Sequence, residues 1–291
     1  MFSKKKSLVI KGTMFIATSL LFIACGSETT KDEALTDVPT DTATVDETSE
    51  TSYSLPSPLQ IASIFKKSGL TYKDGITSSL KDPSKYTTSV SKALNLGVYS
   101  ADLSYTVLNK QTQEAMNYMK LSRKMADDLG IGSVFEEGNL SKRFEKNLSN
   151  EDSLAYIIAE LQMVTDMYLD ENEQQQITSI VFAGAWVESM YIGGKVYEKA
   201  KDKTLNNKIA EQMNILGSII NALKAQEKKD AAIGGLITEL SGVKVIYDEF
   251  PSVKNNPDAT ENVEKDLSLT DDELSSISKK IEELRTKFIN G

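Results

Sequence analysis

Histidine is absent from the 291 residues of the chain, and cysteine occurs once, at Cys25. Histidine is the usual acid–base group near neutral pH and the commonest metal ligand, so its absence excludes Ser-His-Asp and Cys-His catalysis and histidine-based zinc or haem sites. A single cysteine excludes an intrachain disulfide and a cysteine-based metal cluster. We therefore predict no metal site and no cofactor, and no catalytic residue is assigned.

Long apolar runs are also scarce, and the longest, from Met14 to Ala24, follows a lysine-rich start. It is too short and too close to the N-terminus for an ordinary spanning helix, which needs about 20 apolar residues. Its end, FIACG (22–26), resembles the lipobox of bacterial lipoproteins, although Phe22 stands where leucine is usual. The resemblance implies a signal peptide over 1–24, palmitate or another acyl chain on Cys25, and an outer-membrane location. An uncleaved anchor or an ordinary secretory signal is the alternative.

Charge is unbalanced toward acid after the predicted cleavage site. Residues 1–24 hold four lysines and no acid, which leaves 29 basic against 42 acidic residues, a balance of −13. Such a surface disfavours nucleic acid and anionic lipid headgroups, so the lipid alone is expected to hold the protein at the membrane. Residues 25–54 contain mainly Thr, Ser, Asp and Glu, with almost no large apolar side chain. We predict a disordered tether there.

The remaining residues, 55–291, read as one all-α domain, either a multi-helix bundle or an irregular helical array. Ser57-Pro58 and Asp82-Pro83 have the pattern of a helix cap followed by proline at the first helical position. Thr270 with Glu273 forms a predicted capping box.

One segment, Val243–Tyr247, alternates like a strand, but its flanks repeat at helical spacing and predict helix. The stretch from Asn255 to Asp266 is predicted to be a solvated loop, because it lacks the spacing of a calcium-binding loop.

Asp102 lies in a segment that otherwise reads as buried helix. On a helical wheel it shares a stripe with Asn95, Thr106 and Asn109, which predicts a wet edge or a polar seam. Gly97 lies among small residues on another side of the helix and is predicted to be a packing contact.

Glu188 poses a different problem, because its line on the helix is apolar. A lone buried carboxylate costs several kcal/mol, so Glu188 must be paired, hydrogen-bonded or protonated. Gly184, one turn earlier, is predicted to leave open space beside it. Trp186, Tyr191 and the Gly193-Gly194 pair could then bound a small pocket. The alternative is a structural acid satisfied by a tyrosine or by a lysine from another helix.

Two segments, LGVYSADL (96–103) and GAWVE (184–188), resemble those of all-helical lipoproteins of Bacteroidetes. That family has no activity to carry over, so the resemblance implies location and fold and leaves function open.

The leading hypothesis is a lipid-anchored cell-envelope protein that binds an envelope protein or a small molecule. Its possible ligand pocket comprises Glu188, Trp186, Tyr191, Asp102, Tyr99 and Tyr105. The alternative is an enzyme that uses Asp102 and Glu188 as an acid–base pair. It requires carboxyls about 5–5.5 Å or about 6.5–9.5 Å apart, as in glycosidases, that face one open cleft.

Overall fold

The computed structural model describes residues 55–80, 83–256 and 267–291, and these contain ten α-helices and no β-strand. The predicted all-α class is confirmed. The helices are α1 Pro58–Lys67, α2 Ser89–Leu108, α3 Thr112–Asp128, α4 Leu140–Lys146, α5 Glu151–Glu171, α6 Gln175–Ala200, α7 Lys203–Gln226, α8 Ala232–Asp248, α9 Pro251–Lys254 and α10 Asp271–Asn290. The predicted signal peptide, Cys25, the tether and most of the predicted 255–266 loop lie outside the described residues.

Side-chain caps define where several helices begin. Ser57 caps α1, with Pro58 at its first position, and Thr270 caps α10 in a capping box with Glu273, both as predicted. The backbone N–H groups of a first helical turn have no partner within the helix, and these side-chain oxygens accept from them. Asp82 lies outside the described residues, and Pro83 opens only a three-residue 3₁₀ turn.

Val243–Tyr247 lies within α8, which confirms the helical reading of that segment. The apolar helical spacing of this segment extends to Phe250, but α8 ends at Asp248. Phe250 is in extended conformation immediately before Pro251, as the steric demand of a following proline requires.

α2 and α6 form the centre of the fold and cross with their backbones in contact. A Cβ added to Gly97 would lie 2.0 Å from the Val181 carbonyl oxygen, and one added to Gly184 would lie 2.0 Å from the Leu94 carbonyl oxygen. Neither position can hold a side chain without moving backbone. Gly97 is therefore a packing contact, as predicted, whereas the open space predicted beside Gly184 is filled by α2.

The other helices surround this pair and close the core. α3, α1 and α5 pack on α2, while α7 and α10 pack on α6, and α8 packs on α7 and α10. The loop from Leu70 to Leu80 covers one side of α2. Within the part of the chain that the structure describes, no helix is both long enough and apolar enough to cross a bilayer.

Candidate functional site

Glu188 is fully buried and paired with an arginine of the last helix. Arg285 Nε donates to Glu188 Oε2 at 2.6 Å, and Arg285 Nη2 donates to Oε1 at 2.8 Å. This two-point arrangement is the strongest geometry available to a guanidinium and a carboxylate. The Tyr191 ring covers the guanidinium at 4.0 Å, and Arg285 Nη2 also reaches the Ile76 carbonyl oxygen at 3.5 Å.

Asp102 is also fully buried, so the wet edge proposed for it is wrong and the polar seam is correct. Its Oδ2 accepts from the backbone N–H of Ser78 at 3.1 Å and from the Ser78 hydroxyl. Tyr118 fixes Ser78 in turn, because its hydroxyl donates to the Ser78 carbonyl oxygen at 2.5 Å. The loop after α1 therefore seals the side of α2 that the wheel left open.

The other members of the Asp102 stripe are buried too, each with a local partner. Asn95 donates to the Ser91 and Phe288 carbonyl oxygens at 2.9 and 2.8 Å. Thr106 donates to the Asp102 carbonyl oxygen at 2.8 Å, and Asn109 donates to that of Tyr105 at 2.8 Å. These bonds satisfy the donor groups of the three side chains inside a helix interface, while Asn95 Oδ1 accepts no hydrogen bond among the described residues.

The buried carboxyls of Asp102 and Glu188 influence each other's pKa. Burial raises the pKa of Asp102 well above its ordinary value, and the charge of Glu188 raises it further, against the Ser78 bonds and Arg285. Burial also raises the pKa of Glu188, but the charge and the hydrogen bonds of Arg285 oppose this. Asp102 Oδ1 accepts no hydrogen bond within the described residues. With Asp102 protonated, the cluster would hold one anion, Glu188, and one cation, Arg285, and would be neutral.

Tyr99 and Tyr105, which were predicted to line a pocket, instead contact neighbouring segments of the chain. Tyr99 is buried, with its ring 6.3 Å from that of Tyr118. Tyr105 stacks on Tyr72 at 5.8 Å, and its hydroxyl accepts from the Lys73 backbone N–H at 2.7 Å. Burial raises the pKa of Tyr105 to about 12.

The residues predicted to bound a pocket around Glu188 are packed against other elements. The indole N–H of Trp186 donates to the Gln212 carbonyl oxygen of α7 at 3.1 Å. Gly193 faces the Phe65 ring, and Gly194 faces the Ser278 side chain. Lys195 pairs with Glu282 of α10 at 2.8 Å. The predicted lysine or tyrosine partner of Glu188 is in fact Arg285.

A different cavity lies between α2, α3 and α5, beside the first turn of α1. We call it the Ser122 groove; it has a volume of about 50 Å³, and its wall is mainly apolar. Leu96 and Leu103 of α2, Ala126 of α3 and Ile158 of α5 line it. A volume of this size holds about three to five groups the size of a water molecule.

Ser122 gives this cavity its polar feature. The side chain is 2% exposed, and its hydroxyl has no hydrogen-bond partner among the described residues. Leaving a buried hydroxyl unpaired costs about 1–3 kcal/mol. A ligand or water in the groove would satisfy it.

Acceptor groups line the same wall. The hydroxyls of Ser100 and Ser104 donate to the carbonyl oxygens of Leu96 and Ser100, each at 2.8 Å, so their oxygens remain free to accept. At the α5 side, Asp166 is half-buried and accepts from Gln162 at 2.9 Å. Burial raises the pKa of Asp166 above its ordinary value.

Sequence reasoning missed three residues of these sites: Arg285, Ser78 and Ser122. Arg285 had a signal, since it lies one turn from Ile281 and Phe288 on the apolar face of its helix. A guanidinium on that face needs a buried anion as much as Glu188 needs a cation. The sequence contains no such signal for Ser78 or Ser122. Ser78 lies in a loop, and Ser122 lies in a helix, α3, whose composition is that of an ordinary surface helix.

Comparison with known proteins adds no assignment: no family model matches the chain, and no curated protein or solved structure matches it significantly. Across residues 55–80, 83–256 and 267–291, no group of three or more cysteine, aspartate or glutamate side chains could hold a metal ion.

Proposed function

We propose that this protein is a lipid-anchored component of the outer membrane that binds a small amphipathic molecule in the Ser122 groove. The observation that carries the proposal is the unpaired hydroxyl of Ser122 in a mainly apolar cavity wall. Apolar cavities with a few placed polar groups are typical of small-molecule sites. The anchor rests on the lipobox-like sequence at Cys25.

The polar side chains that line the Ser122 groove indicate the class of ligand. Ser100 and Ser104 offer acceptor oxygens, and Asp166 offers a carboxyl at the α5 side of the groove. Ser122 can donate or accept. We therefore expect a ligand with a short aliphatic part and a hydroxyl or amine, and we expect a carboxylate of the same length to be rejected.

The acid–base enzyme gains no support from this geometry. Asp102 and Glu188 are both 0% exposed, and both oxygens of Glu188 accept from Arg285. A substrate would have to displace that pair. Neither acid lines the Ser122 groove.

The experiment uses 1-butanol, butylamine and butyrate as probes on the full chain in a zwitterionic detergent. We expect butanol and butylamine, but not butyrate, to raise the melting temperature and to shift amide resonances of residues 96–104 and 122–126. Ser122→Ala should weaken butanol binding about fivefold, the worth of one hydrogen bond of about 1 kcal/mol. Ser100→Leu should fill the groove and abolish binding.

Thr238→Leu is the matched control, since Thr238 lies on the exposed face of α8. It should bind all probes like the wild type. Equal binding by Ser100→Leu and the wild type would refute the groove as the site.

A further inference from the structure

The outer face of α5 exposes an apolar stripe. Tyr156, Met163 and Met167 are 66%, 56% and 54% exposed, and Ala159 lies exposed between them. These positions lie at i, i+3, i+7 and i+11, so they form one line along the helix. Of the five large apolar side chains that the described residues expose, three lie on this line. Such clustering marks an interaction surface, whereas scattered single residues would not.

The charge of α5 is of one sign. The helix carries six acidic residues and no lysine or arginine: Glu151, Asp152, Glu160, Asp166, Asp170 and Glu171. Glu160 is neutralised by two bonds from Arg143, and Glu151 lies 3.8 Å from Lys110. The other four have no ion pair among the residues described. Asp152 stands at one end of the stripe, and Asp170 and Glu171 stand at the other.

The apolar stripe and the uncompensated acids together indicate the chemistry of the partner. A second copy of α5 would bring the three uncompensated acids at the ends of the stripe against three more, and like charges across an interface are strongly unfavourable. An anionic membrane is disfavoured for the same reason. A cationic segment with one apolar side satisfies both features, and flexible methionine side chains adapt readily to such a partner.

We propose that the α5 face, defined by Tyr156, Ala159, Met163 and Met167 with its acidic ends, docks an amphipathic helix rich in lysine or arginine. The apolar side chains of that helix lie along the stripe, and its cations meet Asp152, Asp170 and Glu171. Ala159 also borders the Ser122 groove, whereas Tyr156, Met163 and Met167 do not line it.

The test measures binding of labelled 18-residue peptides to the full chain in zwitterionic nanodiscs by fluorescence anisotropy. The probe is a Leu/Lys peptide whose leucines repeat at helical spacing. The controls are a Leu/Glu peptide of the same pattern and a shuffled Leu/Lys peptide with no apolar face. We expect the patterned Leu/Lys peptide to bind at least about tenfold more tightly than either control, as a centred apolar anchor implies.

Two variants locate the site. Met163→Ser with Met167→Ser should weaken binding about tenfold, whereas Val245→Ser, at an equally exposed apolar position of α8, should leave it unchanged. Asp152→Asn with Asp170→Asn and Glu171→Gln should weaken binding and reduce its dependence on salt.

Three results overturn the proposal. One is wild-type affinity in the double methionine variant, and another is equal binding of the Leu/Glu peptide. The third is self-association, or capture of anionic vesicles, that the methionine changes abolish, because the occupant would then be a second copy or a membrane.

Discussion

Arg285 and Glu188 meet through two hydrogen bonds of 2.6 and 2.8 Å, although 97 residues separate them in the chain. Removing the cation would leave two acids buried with no compensating charge. We expect Arg285→Met to lower the free energy of unfolding by about 3–5 kcal/mol, the usual cost of stranding a buried charge. Urea denaturation measures it.

The double change Glu188→Met with Arg285→Met should recover most of that loss, since an apolar pair of similar volume often replaces a buried ion pair without cost. Lys287→Met is the control on the same helix. Its exposed pair with Glu239 is worth less than about 1 kcal/mol. An Arg285→Met protein as stable as the control would show that the pair carries no stability.

Asp102→Asn should stabilise the protein at neutral pH. Burial and the nearby Glu188 hold the pKa of Asp102 above its ordinary value, so the folded protein keeps a proton that the unfolded chain releases. The raised pKa therefore lowers the free energy of unfolding once the pH exceeds the pKa of Asp102 in the unfolded chain. Below that pH both states hold the proton, and the cost vanishes. Asparagine copies the protonated form, because it accepts from Ser78 and donates toward Glu188.

The gain from Asp102→Asn should therefore be largest at pH 7–8 and shrink toward pH 4, as read from denaturation curves at each pH. Asp152→Asn, at an exposed acid of α5, serves as the control for general charge effects. A gain that grows as pH falls would mean that Asp102 is ionised in the folded protein.

Gly97→Ala should destabilise the fold by about 3 kcal/mol or more, near or above the upper end for overpacking. The added Cβ would meet the Val181 carbonyl oxygen at 2.0 Å, and backbone cannot swing aside as a side chain can. Gly242→Ala in α8 is the matched control, because nothing lies within 4 Å of its Cβ. It should gain about 0.5–1 kcal/mol from helix propensity, and a comparable gain at Gly97 would contradict the close crossing.

Cys25→Ser should release the protein from the membrane fraction, because no acyl chain could then be attached. Fractionation followed by a high-salt wash measures it, and Ser27→Ala serves as the control that keeps the cysteine. Retention of Cys25→Ser in the washed membranes would exclude the lipid anchor.

Periodicity and capping signals predicted much of the fold, because both act within one helix. The all-α class, the Thr270 cap and the packing role of Gly97 follow from residues that lie within a few turns of each other. A helical wheel says which residues share a face, but it does not say what covers that face. Asp102 was therefore assigned a wet edge that the loop carrying Ser78 in fact seals.

The candidate sites depend on contacts between segments that are distant in sequence. Periodicity and capping signals do not predict such contacts. Because Gly184 has no side chain, the sequence is compatible both with an open pocket beside it and with the close approach of another helix. The position of α2 decides between them. The Ser122 groove needs three helices and was not foreseen at all.

The position of Arg285 in the last described helix has a consequence for a chain that is made from its N-terminus. α2 and α6 can touch once both are synthesised, but sealing their contact dry before α10 arrives would strand Glu188 without its cation. Translation of 97 residues at about 5–20 per second takes about 5–20 s. For that interval the two central helices remain wet and loosely held, so a nascent chain stays accessible to chaperones until α10 emerges.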